Sequence, residues 1–109
     1  MYKCNTIIIA VYLIFTQTLT ANAGTGHGLI HGIIAIRGII TFTLETHENG
    51  PVCHTVTNDF AFDSTTPEGK SKYALLLIAL TAKKAIGVEG TGNCSAWGDR
   101  ETAEKIILY

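Results

Sequence analysis

The sequence predicts a small, mainly β domain with one α-helix, in the order β-β-β-α-β-β. Three observations predict it. Apolar, β-branched segments lie on both sides of a single helical stretch. That stretch opens on Thr66-Pro67, a capping residue followed by a first-turn proline. Two cysteines, Cys53 and Cys94, fall in the part of the chain that would remain after export.

The first 23 residues read as a secretory signal peptide. Lys3 supplies a positive start and Ile7 to Phe15 form an apolar run. A mostly polar stretch, Thr16 to Thr20, then leads to Ala21-Asn22-Ala23, which has the small-x-small form of a cleavage site. The run of nine apolar residues is far shorter than the roughly 20 needed to cross a bilayer, so a retained anchor is not expected. Cys4 lies in the removed segment and is not placed in a lipoprotein-type junction.

Cleavage after Ala23 leaves residues 24–109, 86 in number, enough for one domain and too few for two. The expected location is secreted or periplasmic, with no membrane insertion of the mature chain. A core of this size is marginal, and an even cysteine count in an exported chain reads as a Cys53–Cys94 disulfide. Free nucleophilic thiols are the alternative, disfavoured because oxidising compartments pair cysteines.

The remaining chain carries seven Lys plus Arg against nine Asp plus Glu, with no basic cluster beyond Lys83-Lys84. Phosphate-backbone binding needs a concentrated positive face, so nucleic acid is not an expected partner. No linker, low-complexity tract or internal repeat interrupts the chain.

The first strand is expected over Leu29 to Ile36, and Arg37-Gly38 is a tight turn or a bend into an antiparallel second, Ile39 to Glu45. There Ile40, Phe42 and Leu44 alternate with Thr41, Thr43 and Glu45, the period of a half-buried strand. Glu48-Asn49-Gly50-Pro51 is a second turn, because Asn-Gly tolerates positive φ. A third strand is expected over Val52 to Val56, extending toward Phe62. In the helix, Thr66 caps and Pro67 takes the first position, where its missing N–H costs nothing. Tyr73, Leu76, Leu77 and Leu80 form the expected buried stripe, with Lys70 and Lys72 off it and Lys83-Lys84 in the last turn. Ala85 to Glu89 is the fourth strand, Gly90 to Arg100 a loop, and Ala103 to Tyr109 the fifth strand.

This element order is that of the oligonucleotide/oligosaccharide-binding (OB) barrel, a partly open five-stranded Greek key. A three-stranded sheet with a helix and a detached hairpin has the same string. The barrel is favoured because closure hides the edges of short apolar strands.

Several stretches carry a resemblance: Thr66-Pro67-Glu68-Gly69-Lys70, Tyr73-Ala74-Leu75-Leu76-Leu77, Gly90-Thr91-Gly92-Asn93-Cys94 and Trp97-Gly98-Asp99. With them the chain resembles a group of small exported bacterial proteins of unknown role. Through Gly28-Leu29-Ile30-His31-Gly32-Ile33-Ile34 it resembles, more distantly, the receptor-binding B subunits of subtilase cytotoxin and the pertussis-like toxins. That resemblance implies an OB barrel, assembly as a homo-pentamer with an exported enzyme subunit, and glycan binding. In those B subunits the sialic-acid pocket uses an acidic residue and a hydroxyl residue four apart in the first strand. The matching positions here are His27 and His31, so a sialic-acid site of that chemistry is not expected, and another ligand is left open. The plain alternative is that both are ordinary polar positions at a strand start.

On one strand His27 and His31 would stand about 13 Å apart at about 3.3 Å per residue, too far to chelate one ion. His47 and His54 flank the second turn and are placed to approach across it, but two histidines do not make a structural metal site, and none is assigned. In the Gly90 to Glu101 loop, Trp97 offers a flat face to a sugar or a partner, or plugs a barrel end. Asp99, Arg100 and Glu101 read as local surface pairs of little energetic weight. Gly90-Thr91-Gly92 lacks the spacing and lysine of a phosphate loop.

No nucleophile motif such as Gly-x-Ser-x-Gly is present, so no catalytic residue and no cofactor are assigned, and an enzyme is not expected. Two classes of function remain. One is a binding module for a glycan or protein receptor, with His27, His31 and Trp97 as candidate ligand-binding residues. The other is a structural or accessory envelope protein with no small-molecule site.

Overall fold

The computed structural model describes residues 22–109. The expected signal peptide, apart from Asn22 and Ala23, lies outside the described residues. The elements are β1 (Thr25–Gly28), β2 (Gly32–Ile36), β3 (Ile39–Thr43), β4 (Thr46–Glu48), β5 (Asp59–Asp63), α1 (Pro67–Ala82), β6 (Ile86–Gly90) and β7 (Glu101–Leu108). The strands form one curled mixed sheet of seven, a half-barrel, in the order β2-β3-β5-β7-β6-β1-β4. All neighbours are antiparallel except β5 and β7, which run parallel with Phe60 opposite Glu101.

Among the described residues seven strands replace the expected five, for local reasons. β1 has the sequence Thr-Gly-His-Gly, without the apolar residues that mark a strand. Gly26 is there for packing, since a Cβ on it would stand 2.9 Å from Leu44 Cδ1 and press into the Phe60 ring, and Gly28 has a positive φ of 121°. Leu29–His31 then bends the chain into β2, and Leu44–Glu45 bends β3 into β4. Val52–Val56 is not a strand. Its amides bond to loop carbonyls, with Thr55 N and Val56 N donating to Asp99 O at 3.1 and 3.2 Å, and Val52 is 96% exposed. The third long segment starts later, at Asp59.

Both expected turns form. Arg37 (φ 53°) and Gly38 (φ 78°) close the β2–β3 hairpin as a two-residue loop between Ile36 and Ile39. Asn49 (φ 60°) and Gly50 (φ 114°) carry the second.

Ile40, Phe42 and Leu44 face the core as their alternation requires, joined by Phe60, Phe62, Ile86, Val88, Ala103 and Leu76. Phe42 lies between Phe60 and Phe62, with ring centroids 5.9 and 6.0 Å away. The opposite face is not simply solvated, since Thr41 and its partner Ala61 are buried as well.

The start of α1 is as expected: Thr66 Oγ1 accepts from Gly69 N at 3.0 Å, and Pro67 opens the helix. Thr65 donates its hydroxyl and its amide to Asp63, and these hydrogen bonds hold the Asp63 carboxyl below its ordinary pKa. The buried face differs from the expected stripe. Gly69, Leu76 and Ala79 are buried, with Tyr73 and Leu75 packed against the core, whereas Leu77 and Leu80 are exposed. At Gly69 a Cβ would overlap the backbone of Asp63, where the chain leads into the helix, so that inward position takes only glycine. Lys72 is not off the buried side, as its Nζ donates to Ala103 O at 3.1 Å. Lys83 is the C-cap in a left-handed conformation (φ 54°), so Lys83-Lys84 follow the last turn instead of forming it.

This face is directly testable. Leu76 has 0% exposure and Leu77 42%, so Leu76→Ala should cost about 3 kcal/mol and Leu77→Ala under about 1 kcal/mol. Urea melts of the two variants with equal midpoints would contradict this placement of the helix.

Candidate functional site

On the outer face of the sheet, β1 lies between β4 and β6, and the surface there is concave. Within β1 the side chains alternate, so Gly26 and Gly28 point inward while Thr25 and His27 point out. Thr25, His27, Thr46, Glu48, Glu89 and Tyr109 line an open groove of about 310 Å³. The His27 and Tyr109 rings lie 5.6 Å apart, tilted by 52°. Gly87 makes room for this arrangement, since a Cβ there would stand 2.7 Å from the Tyr109 hydroxyl. Thr46 Oγ1 donates to His27 O at 3.2 Å, and Lys105 Nζ donates to Glu89 Oε2 at 3.3 Å. The groove therefore combines two aromatic faces with hydroxyl and carboxylate groups, a set able to stack on a ring and exchange hydrogen bonds around it.

The three residues singled out from sequence do not converge. His27 lines the groove. His31 sits at the bend before β2, exposed, with Nε2 4.0 Å from Glu45 Oε1. His31 lies in the bend between β1 and β2, so the regular strand spacing assumed between it and His27 does not hold. Trp97 is half-buried in the 91–100 loop, where Arg100 N donates to Trp97 O at 3.0 Å.

A second polar constellation, on the inner side, was not legible as a site. Glu101 opens β7 with its side chain pointing in, and neither it nor His47 has any side-chain exposure. Glu101 Oε1 lies 2.7 Å from His47 Nε2, while Oε2 accepts from Gly24 N and Gly92 N, each at 2.9 Å. His47 stacks on Phe60 at 3.9 Å and approaches His54 at 4.6 Å, across the turn as the sequence indicated. His47 Nδ1 and His54 Nδ1 are buried without a hydrogen-bond partner. A Cβ on Gly24 or Gly50 would stand 2.6 or 3.0 Å from Glu101 Oε1, and one on Gly90 would overlap the carboxylate. Glycines thus leave the space that Glu101 fills.

The Cys53–Cys94 disulfide, with Cα atoms 6.2 Å apart, ties the loop bearing Gly50 and His54 to the loop bearing Gly92. Beside it Arg100 joins Asp59 at 3.0 Å and Asp99 at 2.6 Å. Burial opposes the guanidinium charge, but these two carboxylates outweigh it and raise the Arg100 pKa further. The expectation of weak surface pairs over Asp99, Arg100 and Glu101 is thereby corrected. Arg100 and Asp59 are largely buried, and Glu101 is fully so.

Among the described residues, no group of three His, Cys, Asp or Glu side chains is arranged to hold a metal ion, and no helix is long and apolar enough to cross a membrane. In comparison with known proteins, no family model matches the chain, and neither a curated protein nor a solved structure shows significant similarity to it.

Proposed function

We propose that the chain is a small exported binding module built on an OB-like barrel, which recognises a glycan or a protein receptor bearing one through the groove at His27 and Tyr109. The observation that carries this reading is the groove itself, in which the two rings sit 5.6 Å apart among Thr25, Thr46, Glu48 and Glu89. Sugars present apolar ring faces and a periphery of hydroxyls, the complement of that lining.

Strand continuity supports the barrel. Taken as two halves of one bent strand, β1 and β2 form the first strand, and β3 and β4 form the second. The helix then follows the third strand, and β5 pairs in parallel with the last. β1 also pairs on both sides, with β4 and with β6, as closure requires. The disulfide fits an oxidising compartment and hence export.

A glycan array probed with the purified chain 24–109 tests the reading. Tyr109→Ala and Glu48→Gln, both at exposed positions, should weaken any glycan retained by about tenfold or more, equivalent to about 1.4 kcal/mol, while leaving the melting midpoint unchanged. No retained glycan, or equal retention by the variants, would remove the groove as a glycan site. Light scattering on the same sample tests assembly: a mass of five chains supports the toxin B-subunit reading, and a single chain removes the ring.

A further inference from the structure

We propose that the buried Glu101 carboxylate is a binding site for a primary ammonium group, and that its ligand is the chain's own α-amino group, released at Gly24 by cleavage of the Ala23–Gly24 bond. The proposal rests on the export reading for the cleavage itself. The site is given by the geometry.

Asn22 and Ala23 are exposed, and burial begins at Gly24, the first residue after the small-x-small motif. Gly24 N already points at the carboxylate, 2.9 Å from Glu101 Oε2, in a buried contact. Its carbonyl is fixed from the other side, accepting from Gly90 N at 2.8 Å. Gly24 must also be glycine, because a Cβ there would stand 2.6 Å from Glu101 Oε1, 2.8 Å from His47 Nε2 and 2.9 Å from Glu48 O. The nitrogen that cleavage would free is therefore held in place at the acid before any bond is cut.

The electrostatics of the pocket call for such a partner. Among the described residues, no lysine or arginine forms an ion pair with Glu101, whose side-chain partners reduce to His47. The other two donors are the neutral amides of Gly24 and Gly92. Apart from His47 no charged side chain opposes this buried carboxylate among the described residues, and hydrogen bonds to neutral amides offset only part of the cost of its burial. Hydrolysis by a leader endopeptidase consumes one water. The Ala23 C–Gly24 N bond breaks, Ala23 leaves as a carboxylate, and the Gly24 nitrogen takes up protons to become an ammonium. The same atom then carries a full positive charge at the same place, and the neutral contact becomes an ion pair. The uncut chain lacks this pair and is the less stable form, which suits a precursor that has to cross a membrane unfolded.

Two chains that differ only at the N-terminus test this, one starting at Gly24 and one at Ala23, each released from a fusion by a site-specific protease. The Gly24 chain should melt higher by about 4–8 °C or more. Its α-amine should resist an acylating reagent at neutral pH in the native state and react on unfolding, whereas the α-amine of the Ala23 chain should react in both states. Glu101→Gln should shrink the difference between the two melting midpoints. The comparison of the unsubstituted chains stands even where that variant fails to fold. Equal midpoints, or equally reactive native α-amines, would overturn the ammonium site. Mass spectrometry of the exported protein reads the cleavage separately: an N-terminus other than Gly24 would overturn the processing step and the export boundary, whatever the melts show.

Discussion

Glu101→Ala should lower the unfolding free energy by about 3–5 kcal/mol, from the buried donors that it leaves unpaired. The substitution strands the Gly24 and Gly92 amides and the His47 ring, all of which now point at the carboxylate. Each donor left unpaired in a buried site costs about 1–3 kcal/mol, and the glycines around the vacated space have no side chains to fill it. Against a total stability of about 5–15 kcal/mol for a domain of this size, the loss would approach the folding threshold. Glu104→Ala, three residues along the same strand and exposed, should stay within about 0.5 kcal/mol. Urea unfolding of both variants is the check. A change at Glu101 below about 1 kcal/mol would mean that the carboxylate is not the centre of this cluster.

Replacing both cysteines by serine should cost about 4 kcal/mol, from the entropy regained by the unfolded chain when a crosslink spanning 41 residues is removed. The double variant is the informative one, since a single substitution leaves a free thiol. The bond joins two loops that also meet through the amides of Thr55 and Val56 on Asp99 O. Its loss should therefore also loosen the roof over His54 and Gly92. Denaturant midpoints of the native protein with and without reductant should separate in the same direction. Coincident midpoints would show that the loops are held without the crosslink.

Where side-chain pattern alone decides the structure, the reading from sequence and the fold agree. Thr66-Pro67 start the helix because capping and proline geometry act over one turn. Arg37-Gly38 and Asn49-Gly50 turn with positive φ at all four residues, which Gly38, Asn49 and Gly50 accept readily. Where a neighbour far along the chain decides, the pattern misleads. Leu77 and Leu80 look like core residues, yet Gly69, Leu76 and Ala79 form the buried side, because the way the helix lies on the rest of the fold, and not its own pattern, sets which face turns inward. Gly26 of β1 gives no strand signal until Phe60 and Leu44 are seen packed against it.

The same division holds for the sites. His27 could be named in advance, but its groove depends on Tyr109 at the other end of the chain and on strand neighbours that only pairing selects. Glu101 sits in a run of charged residues that resembles solvated surface. Its burial follows from the parallel pairing of β7 with β5 and from glycines 77 residues upstream and 9 upstream, whose amides reach its carboxylate. Composition, turn chemistry, the helix start and the cysteine pair were determined by the sequence itself, because they rest on local conformational preference and on the count of groups available to pair. The strand count, the inward face of the helix and the polar centre at Glu101 were decided only by the tertiary structure. The cost of burying a charge or a methyl group depends on what the rest of the fold places beside it.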